Sequence, residues 1–380
     1  MKVLVPSVTG KRVFYAVFFC ILLVIVELLW LDYDSLLFSY SEEGHFSHRS
    51  LPPLTLKNVT ESLRYIPHST IQTWRERDYL IVFGIPSIDI EARRRRRDLQ
   101  RTTCWQFPGV ARRANDFTGA MLVLYVLARH PSQGYNYSAA LEKESDEWHD
   151  IITLPMNDVL PTTNKTIGGN GYWGTEAEIG MSRKTYFWYE LALRVFPNVN
   201  YISKGDDDMF MRVPQFLSDL RLLPRRGTYM GGYYGVWRGK RANPPNVYFM
   251  IGYCMTLARD VALQLVSFKP IQRLVHLPYS KEREPEFKAF NMEHEDIMVG
   301  RVLLHEINYE PLRLVKVDYC RFFNIRNKSG HYLVTSNSIV IHHLEASDYS
   351  DLMRRFGNIK SPVPSKLYLE KHNVSLISCI

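Results

Sequence analysis

The sequence predicts an α/β protein with a mostly parallel central sheet, on three observations. Short apolar runs rich in β-branched residues alternate with helix-compatible segments, as in sheets joined by helical crossovers. Pro, Gly, Asp or Ser closes most of these runs, as at strand ends. The composition, 46% hydrophobic and 23% charged over 380 residues, supplies apolar material for one large core or two smaller ones. No period of roughly 20–50 residues is visible, which argues against a solenoid.

The first element is apolar from Val13 to Leu31, broken only by Glu27. As a helix it spans ~28 Å at ~1.5 Å per residue, close to the thickness of a bilayer's hydrocarbon core. Lys2, Lys11 and Arg12 precede it, and Asp32, Asp34, Glu42 and Glu43 follow. The positive-inside rule then makes residues 1–12 a cytosolic tail, 13–31 a transmembrane signal-anchor and the remainder luminal. A cleaved signal peptide competes, but the apolar run is long and no small-x-small site follows it. Residues 32–75 are polar and mixed and read as a stem, leaving 76–380 as the catalytic domain.

Within that domain Tyr79 to Ile85 reads as a buried strand closed by Pro86-Ser87, and Arg93 to Trp105 as a helix. Gly119 to Leu127 is a second strand, Glu142 to Trp148 a short helix and Asp150 to Leu154 a third strand. Glu176 to Phe196 is a helix stopped by Pro197, and Val199 to Ser203 is a fourth strand. The second half is less regular. An apolar stretch runs from Val247 to Leu257, helices cover Arg259 to Phe268 and Ile297 to His305, and a late strand, Ile339 to Ile341, leads into His342-His343.

The net charge of +8 is concentrated partly in Arg93 to Arg97. In a lumen such a run does not serve nucleic acid or nuclear import, and a solvated helix face explains it. Asn58, Asn136, Asn164, Asn327 and Asn373 head N-glycosylation sequons, which suit a luminal body. Cys20 lies in the span, so Cys104, Cys254, Cys320 and Cys379 remain for two disulfides in any of three pairings.

Candidate chemistry gathers behind the fourth strand, where Asp206-Asp207-Asp208 presents several carboxylates at one sheet edge. Hard divalent cations, Mn²⁺ or Mg²⁺, suit such a cluster, and a cation there can hold a diphosphate. An acidic turn or helix cap explains the triplet equally in isolation. Glu295-Asp296 opens a helix, where carboxylates also simply favour the dipole. His342 and His343 are imidazoles fit to join a carboxylate at a metal. Lys184, Arg97 and Arg101 are candidates to hold the diphosphate. Pro86 and Ser87 fall where ligands bind beyond strand ends. The Tyr-rich loops from Tyr229 to Tyr234, with Trp237, offer rings that can stack on the apolar face of a ligand.

Taken in order, the pieces resemble the β-1,3-glycosyltransferase family, the galactosyl- and N-acetylglucosaminyltransferases of the Golgi membrane. They are Gly84 to Ser87, Arg96-Arg97 with Arg101 and Trp105, Glu142 with Asp150 to Ile152, Lys184, Asp206 to Asp208, Glu295 to Gly300 and His342-His343. Thr103-Cys104-Trp105 is similar to the divergent kinetoplastid branch. The resemblance implies a GT-A type nucleotide-sugar-binding fold in a single-pass type II protein of the Golgi membrane. It implies inverting, metal-dependent transfer of Gal or GlcNAc from UDP-galactose or UDP-N-acetylglucosamine to a glycan acceptor on glycoprotein or glycolipid, through a β-1,3 linkage. It further implies Asp208 as the Mn²⁺ ligand, Asp206 near the ribose and metal, Asp207 beside them, one metal-binding His at His342 or His343, and Asp296 as the base. The partners are then the acceptor glycan and the membrane, with no nucleic acid, and a homo-oligomer stays open. Two other classes compete. A luminal phosphohydrolase of haloacid-dehalogenase type would want a small residue where Phe210 stands. A non-catalytic membrane lectin would be expected to be all-β.

Overall fold

The computed structural model describes residues 56–167, 171–238, 246–326, 334–359, 361–369 and 374–378. The strands are β1 Ile81–Ser87, β2 Val110–Ala111, β3 Met121–Arg129, β4 Ile151–Asn157, β5 Tyr201–Gly205, β6 Met209–Met211, β7 Thr228–Arg238, β8 Asn246–Ala258, β9 Arg313–Val317, β10 Phe322–Asn324, β11 Val340–His342, β12 Leu367–Leu369 and β13 Val374–Ile377. The helices are α1 Leu56–Ser62, α2 His68–Glu76, α3 Glu91–Thr102, α4 Ala139–Trp148, α5 Thr175–Val195, α6 Val213–Arg221, α7 Arg259–Ser267, α8 Lys269–Val275, α9 Glu284–Ala289, α10 Glu295–Arg301 and α11 Ala346–Phe356.

One large sheet runs in the order β12-β13-β9-β7-β8-β5-β1-β3-β2, with β4 also paired to β3. It is mostly parallel: β1 lies parallel to β3 and β5, β3 to β2 and β4, and β9 to β7 and β13. The strand β8 breaks the pattern by running antiparallel to both β5 and β7. Only residues 239–245 separate β7 from β8, too few for the crossover that a parallel neighbour needs.

Every residue of β1 is buried, as its unbroken apolar run requires of a central strand covered on both faces. Successive residues point to opposite faces. Phe83 meets Trp105 and Phe216 on one side. On the other side Gly84 leaves room for Trp188 of α5, since a Cβ at Gly84 would fall 2.2 Å from the indole. The Trp188 Nε1–H donates to the Ser203 carbonyl at 2.8 Å, which locks α5 onto β5.

A second, three-stranded sheet, β10-β11-β6, sets β11 antiparallel to β6 with His342 opposite Met209. That register brings the histidine pair back to the turn after β5. The Leu344 N–H closes the contact on the Asp208 carbonyl at 3.0 Å.

Two expectations change. The fold begins before Tyr79: α1 and α2 fall inside the segment expected to be stem, and Leu63, Ile66 and Trp74 are buried in the common core. Two disulfides do not form either. Cys104 and Cys254 are free, buried thiols, whereas Cys320 is disulfide-bonded. Both free thiols occupy interior packing positions, where cysteine behaves as a small apolar side chain. Val13 to Leu31, Cys379, Asn327 and Asn373 lie outside the described residues. Among those described, no helix is long and apolar enough to cross a membrane. Asn58 falls in α1, and Asn136 and Asn164 are exposed.

Candidate active site

A cleft of about 410 Å³ opens at the ends of β1 and β5. It forms there because β1 and β5 pair in parallel, Gly84 opposite Lys204, so Ser87 and the aspartate turn leave the sheet at one level. Ser87 donates from Oγ to Asp207 Oδ2 at 2.9 Å. Asp207 is 3% exposed and pairs with Arg93 of α3, so this central aspartate holds the turn in shape.

Asp206 and Asp208 flank it and converge on one imidazole. His342 Nε2 lies 3.1 Å from Asp206 Oδ2 and 3.1 Å from Asp208 Oδ1. The His342 ring stacks on Tyr253 with centroids 4.7 Å apart, and its buried Nδ1 has no hydrogen-bond partner. Burial alone would lower the His342 pKa, but Asp208 and Asp206 outweigh it and raise it to about 9. The same contacts hold Asp208 below the usual carboxylate range against the effect of burial. His343 sits beside His342 in the left-handed backbone region at φ 62°, with Nδ1 2.9 Å from Asn324 Oδ1. Burial and the His342 charge lower its pKa to about 4.

One ligand atom each from Asp208, His342 and His343 falls within 4.8 Å of the others. A carboxylate with two imidazoles suits Mn²⁺ or a similar divalent ion, and Asp206 adds a second carboxylate. The residues therefore fit such an ion. The unpartnered Nδ1 of His342 and the charge gathered about one point are the observations that say so.

Lys204, the penultimate residue of β5, ties this turn to the opposite wall. Its Nζ reaches Asp206 Oδ1 at 2.5 Å, Glu295 Oε1 at 2.9 Å and the Gly252 carbonyl at 3.1 Å. Glu295 also accepts from Thr185 Oγ1 at 2.5 Å. Burial outweighs Lys204 at Glu295 and raises this carboxyl to about 7. Asp296, next in the chain, faces the cleft with each oxygen held by one backbone N–H: Gly252 at 3.2 Å and Ile297 at 2.9 Å. Its pKa is raised, chiefly by burial. This approach of α10 to β8 needs Gly252, because a Cβ there would fall 2.6 Å from Glu295 Oε1.

Of the residues singled out in the sequence, Pro86, Ser87, Asp206, Asp207, Asp208, Asp296, His342 and His343 all line this cleft. Arg97, Arg101 and Lys184 do not. Arg97 is fully buried, forked onto Glu144 at 2.7 and 2.6 Å. Arg101 is forked onto Asp150 at 2.8 and 2.7 Å and shares Glu144 at 2.7 Å. Lys184 spends its ammonium on Asp158 at 2.8 Å and the Ser87 carbonyl at 2.9 Å. These three cations brace the interior, and a diphosphate cannot reach them.

Among the described residues, the arginine and lysines that line the cleft are Arg93, Lys165 and Lys204. Lys165 Nζ lies 4.7 Å from the Trp173 ring and Arg93 Cζ 5.7 Å from it, both within cation–π range. Sequence reading passed over Arg93 within its arginine run. Helical periodicity puts Arg93 on one face with Arg97 and Arg101, and nothing in the sequence tells the one that reaches the cleft from the two that do not. Nothing in the sequence singled out Lys165 or Trp173, which lie in the loop between β4 and α5.

Neither a protein-family model nor a curated protein sequence matches this chain. Among solved structures, the crystal structure of a glycosyltransferase involved in the glycosylation of the major capsid of PBCV-1 is similar, with a TM-score of 0.36 and 10% identity. That match covers 72% of this chain and 98% of the other. Mouse xyloside xylosyltransferase 1, in its apo form, is similar with a TM-score of 0.31 and 11% identity, covering 76% of this chain and 100% of the other. Both TM-scores lie below 0.5, too low a similarity to assign the reaction.

Proposed function

We propose that the chain is an inverting, metal-dependent glycosyltransferase that moves a sugar from a UDP-sugar to a glycan acceptor. The observation that carries this is the cleft's division of labour. Asp206, Asp208 and His342 converge on one point, and Asp296 lines the same cleft with both oxygens oriented by backbone N–H groups. Asp208 and His342, with Asp206 and His343 beside them, would hold a divalent cation, which would supply positive charge against that developing on the departing diphosphate.

The protein's own residues do the rest. Arg93 and Lys165 add charge-assisted donors at the diphosphate end. Pro86 and Ser87, at the end of β1, offer the nucleotide a floor. Asp296 takes the proton of the acceptor hydroxyl as that oxygen attacks the anomeric carbon from the face opposite the diphosphate. The new glycosidic bond forms, the bond from anomeric carbon to phosphate oxygen breaks, and UDP leaves with the electron pair. A UDP-sugar linked through an α bond thus gives a β product. UDP-galactose and UDP-N-acetylglucosamine are the donors proposed, with a β-1,3 linkage and an acceptor on glycoprotein or glycolipid.

The proposed compartment is the Golgi lumen, behind the Val13–Leu31 anchor. Exposed sequon residues Asn136 and Asn164 and the disulfide at Cys320 support an oxidising, secretory setting.

Thermal melts with ligand test the donor side. Mn²⁺ and UDP together should raise the Tm of the full chain, by about 2.7 kcal/mol of stabilisation at a hundredfold excess over Kd. Asp208→Ala should abolish that rise. A rise of equal size with UDP and EDTA would count against the metal-dependent reading.

A further inference from the structure

Two aromatic side chains that line the cleft, and a third packed on one of them, have no part in the chemistry above. Tyr172 and His294 line it, and their ring centroids stand 6.1 Å apart. Trp237 of β7 packs on His294, at 4.6 Å between centroids. All three residues are half-buried.

Strand order places these rings at one end. Ser87 and Arg93 belong to β1 and α3, and β5 and β8 separate β1 from β7, which carries Trp237. His294 precedes Asp296 by two residues at the start of α10. The neighbouring residues Tyr172 and Trp173 divide the cleft between them. Trp173 lies under Arg93 and Lys165, at the anionic-ligand end, and Tyr172 meets His294, at the base end. A molecule that brings a hydroxyl to Asp296 without crossing the nucleotide's position therefore comes in past His294 and Trp237.

Charge narrows the molecule further. Among the described residues lining the cleft, the arginine and lysines are Arg93 and Lys165, at the far end with Glu178, and Lys204, engaged by Asp206 and Glu295. The near end carries Glu295 and Asp296. An anionic acceptor would meet the Asp296 carboxylate there, and Lys204 is already engaged by Asp206 and Glu295, so a neutral molecule suits it. A pyranose ring presents axial C–H bonds on at least one face, and an aromatic ring presents its negative face to such weakly positive hydrogens.

We propose that Tyr172, Trp237 and His294 form the acceptor subsite, and that it takes a neutral pyranoside by the apolar face of its ring. The proposal rests on the transferase reading and names the acceptor class for it.

The test uses the full chain with Mn²⁺ and whichever UDP-sugar it turns over. Acceptors are methyl β-galactoside, methyl β-N-acetylglucosaminide, methyl α-mannoside and a Ser/Thr peptide. Trp237→Ala should raise the KM for the glycoside about tenfold while the KM for the donor holds. Trp237→Phe, which keeps a ring, should recover most of the affinity. Tyr172→Leu gives the same split if Trp237→Ala fails to fold, as judged by circular dichroism. Transfer to the peptide alone would overturn the proposal, as would an acceptor KM unchanged in both folded variants, or donor and acceptor KM rising together. Absence of wild-type turnover with every UDP-sugar is a different failure. It removes the transferase reading and the subsite with it.

Discussion

The ammonium of Lys204 stands 2.9 Å from Glu295 and 2.5 Å from Asp206, so one buried cation joins the proposed metal-binding turn to the helix that carries the proposed base. Burial opposes its charge, and the two carboxylates outweigh burial and raise its pKa. Removing one partner of a buried ion pair leaves the others uncompensated, at about 3–5 kcal/mol. Lys204→Met should therefore lower stability by roughly that amount in denaturant unfolding and should cut turnover as well. A loss below about 1 kcal/mol would mean that Asp206 and Glu295 are solvated well enough without it.

Glu295 gives the fold a pH dependence of predictable sign. Its folded-state carboxyl is raised to about 7, so the folded state binds that proton more tightly than the unfolded chain does. The stability it contributes is complete below the unfolded pKa, near 4.3, and is lost as pH rises through about 7. Glu295→Gln removes the titration. In EDTA, its stability relative to wild type should climb between pH about 4.3 and 7 and then level off. A flat difference across that window would contradict the buried placement of this carboxyl.

The arginines of α3 separate by role. Arg97 and Arg101 are buried against Glu144 and Asp150, so Arg97→Met or Arg101→Met should cost about 3–5 kcal/mol in unfolding free energy. Arg93 lines the cleft and, among the described residues, its ion pair is with Asp207, so Arg93→Met should cost less stability and raise the KM for the donor. Equal effects of all three on stability, with donor KM unmoved by Arg93→Met, would refute the assignment.

Gly252 tests the closeness of α10 to β8. A Cβ there would fall 2.6 Å from Glu295 Oε1 and 3.0 Å from Asp296 Cβ, so Gly252→Ala must displace the carboxylates. Misplacing a reacting group by about 1 Å can cost on the order of a hundredfold in rate. Gly252→Ala should therefore stay folded and lose activity on that scale, measured as kcat at saturating substrates.

The strands were legible in the sequence because buried parallel strands are continuous apolar runs. Tyr79 to Ile85, Gly119 to Leu127 and Asp150 to Leu154 each match an observed strand to within three residues at either end. The aspartate turn was legible for the same reason, since it directly follows such a run. Contacts between distant segments were not. Lys204 looks like an ordinary strand residue until β8 and α10 close around it, and Lys165 and Trp173 lie in a loop with no local signal. Arg97, Arg101 and Lys184 misled because charge in a sequence does not reveal its partner. Glu144, Asp150 and Asp158, which neutralise them, come 26 to 49 residues away.

The most direct test of the whole account is UDP release by the full chain, with a panel of UDP-sugars, mixed glycan acceptors and either Mn²⁺ or EDTA. The account predicts turnover with UDP-galactose or UDP-N-acetylglucosamine that requires Mn²⁺ and is lost in both Asp208→Ala and Asp296→Asn. No UDP release from any donor, together with Asp208-dependent release of phosphate from a phosphomonoester, would contradict it in favour of a hydrolase.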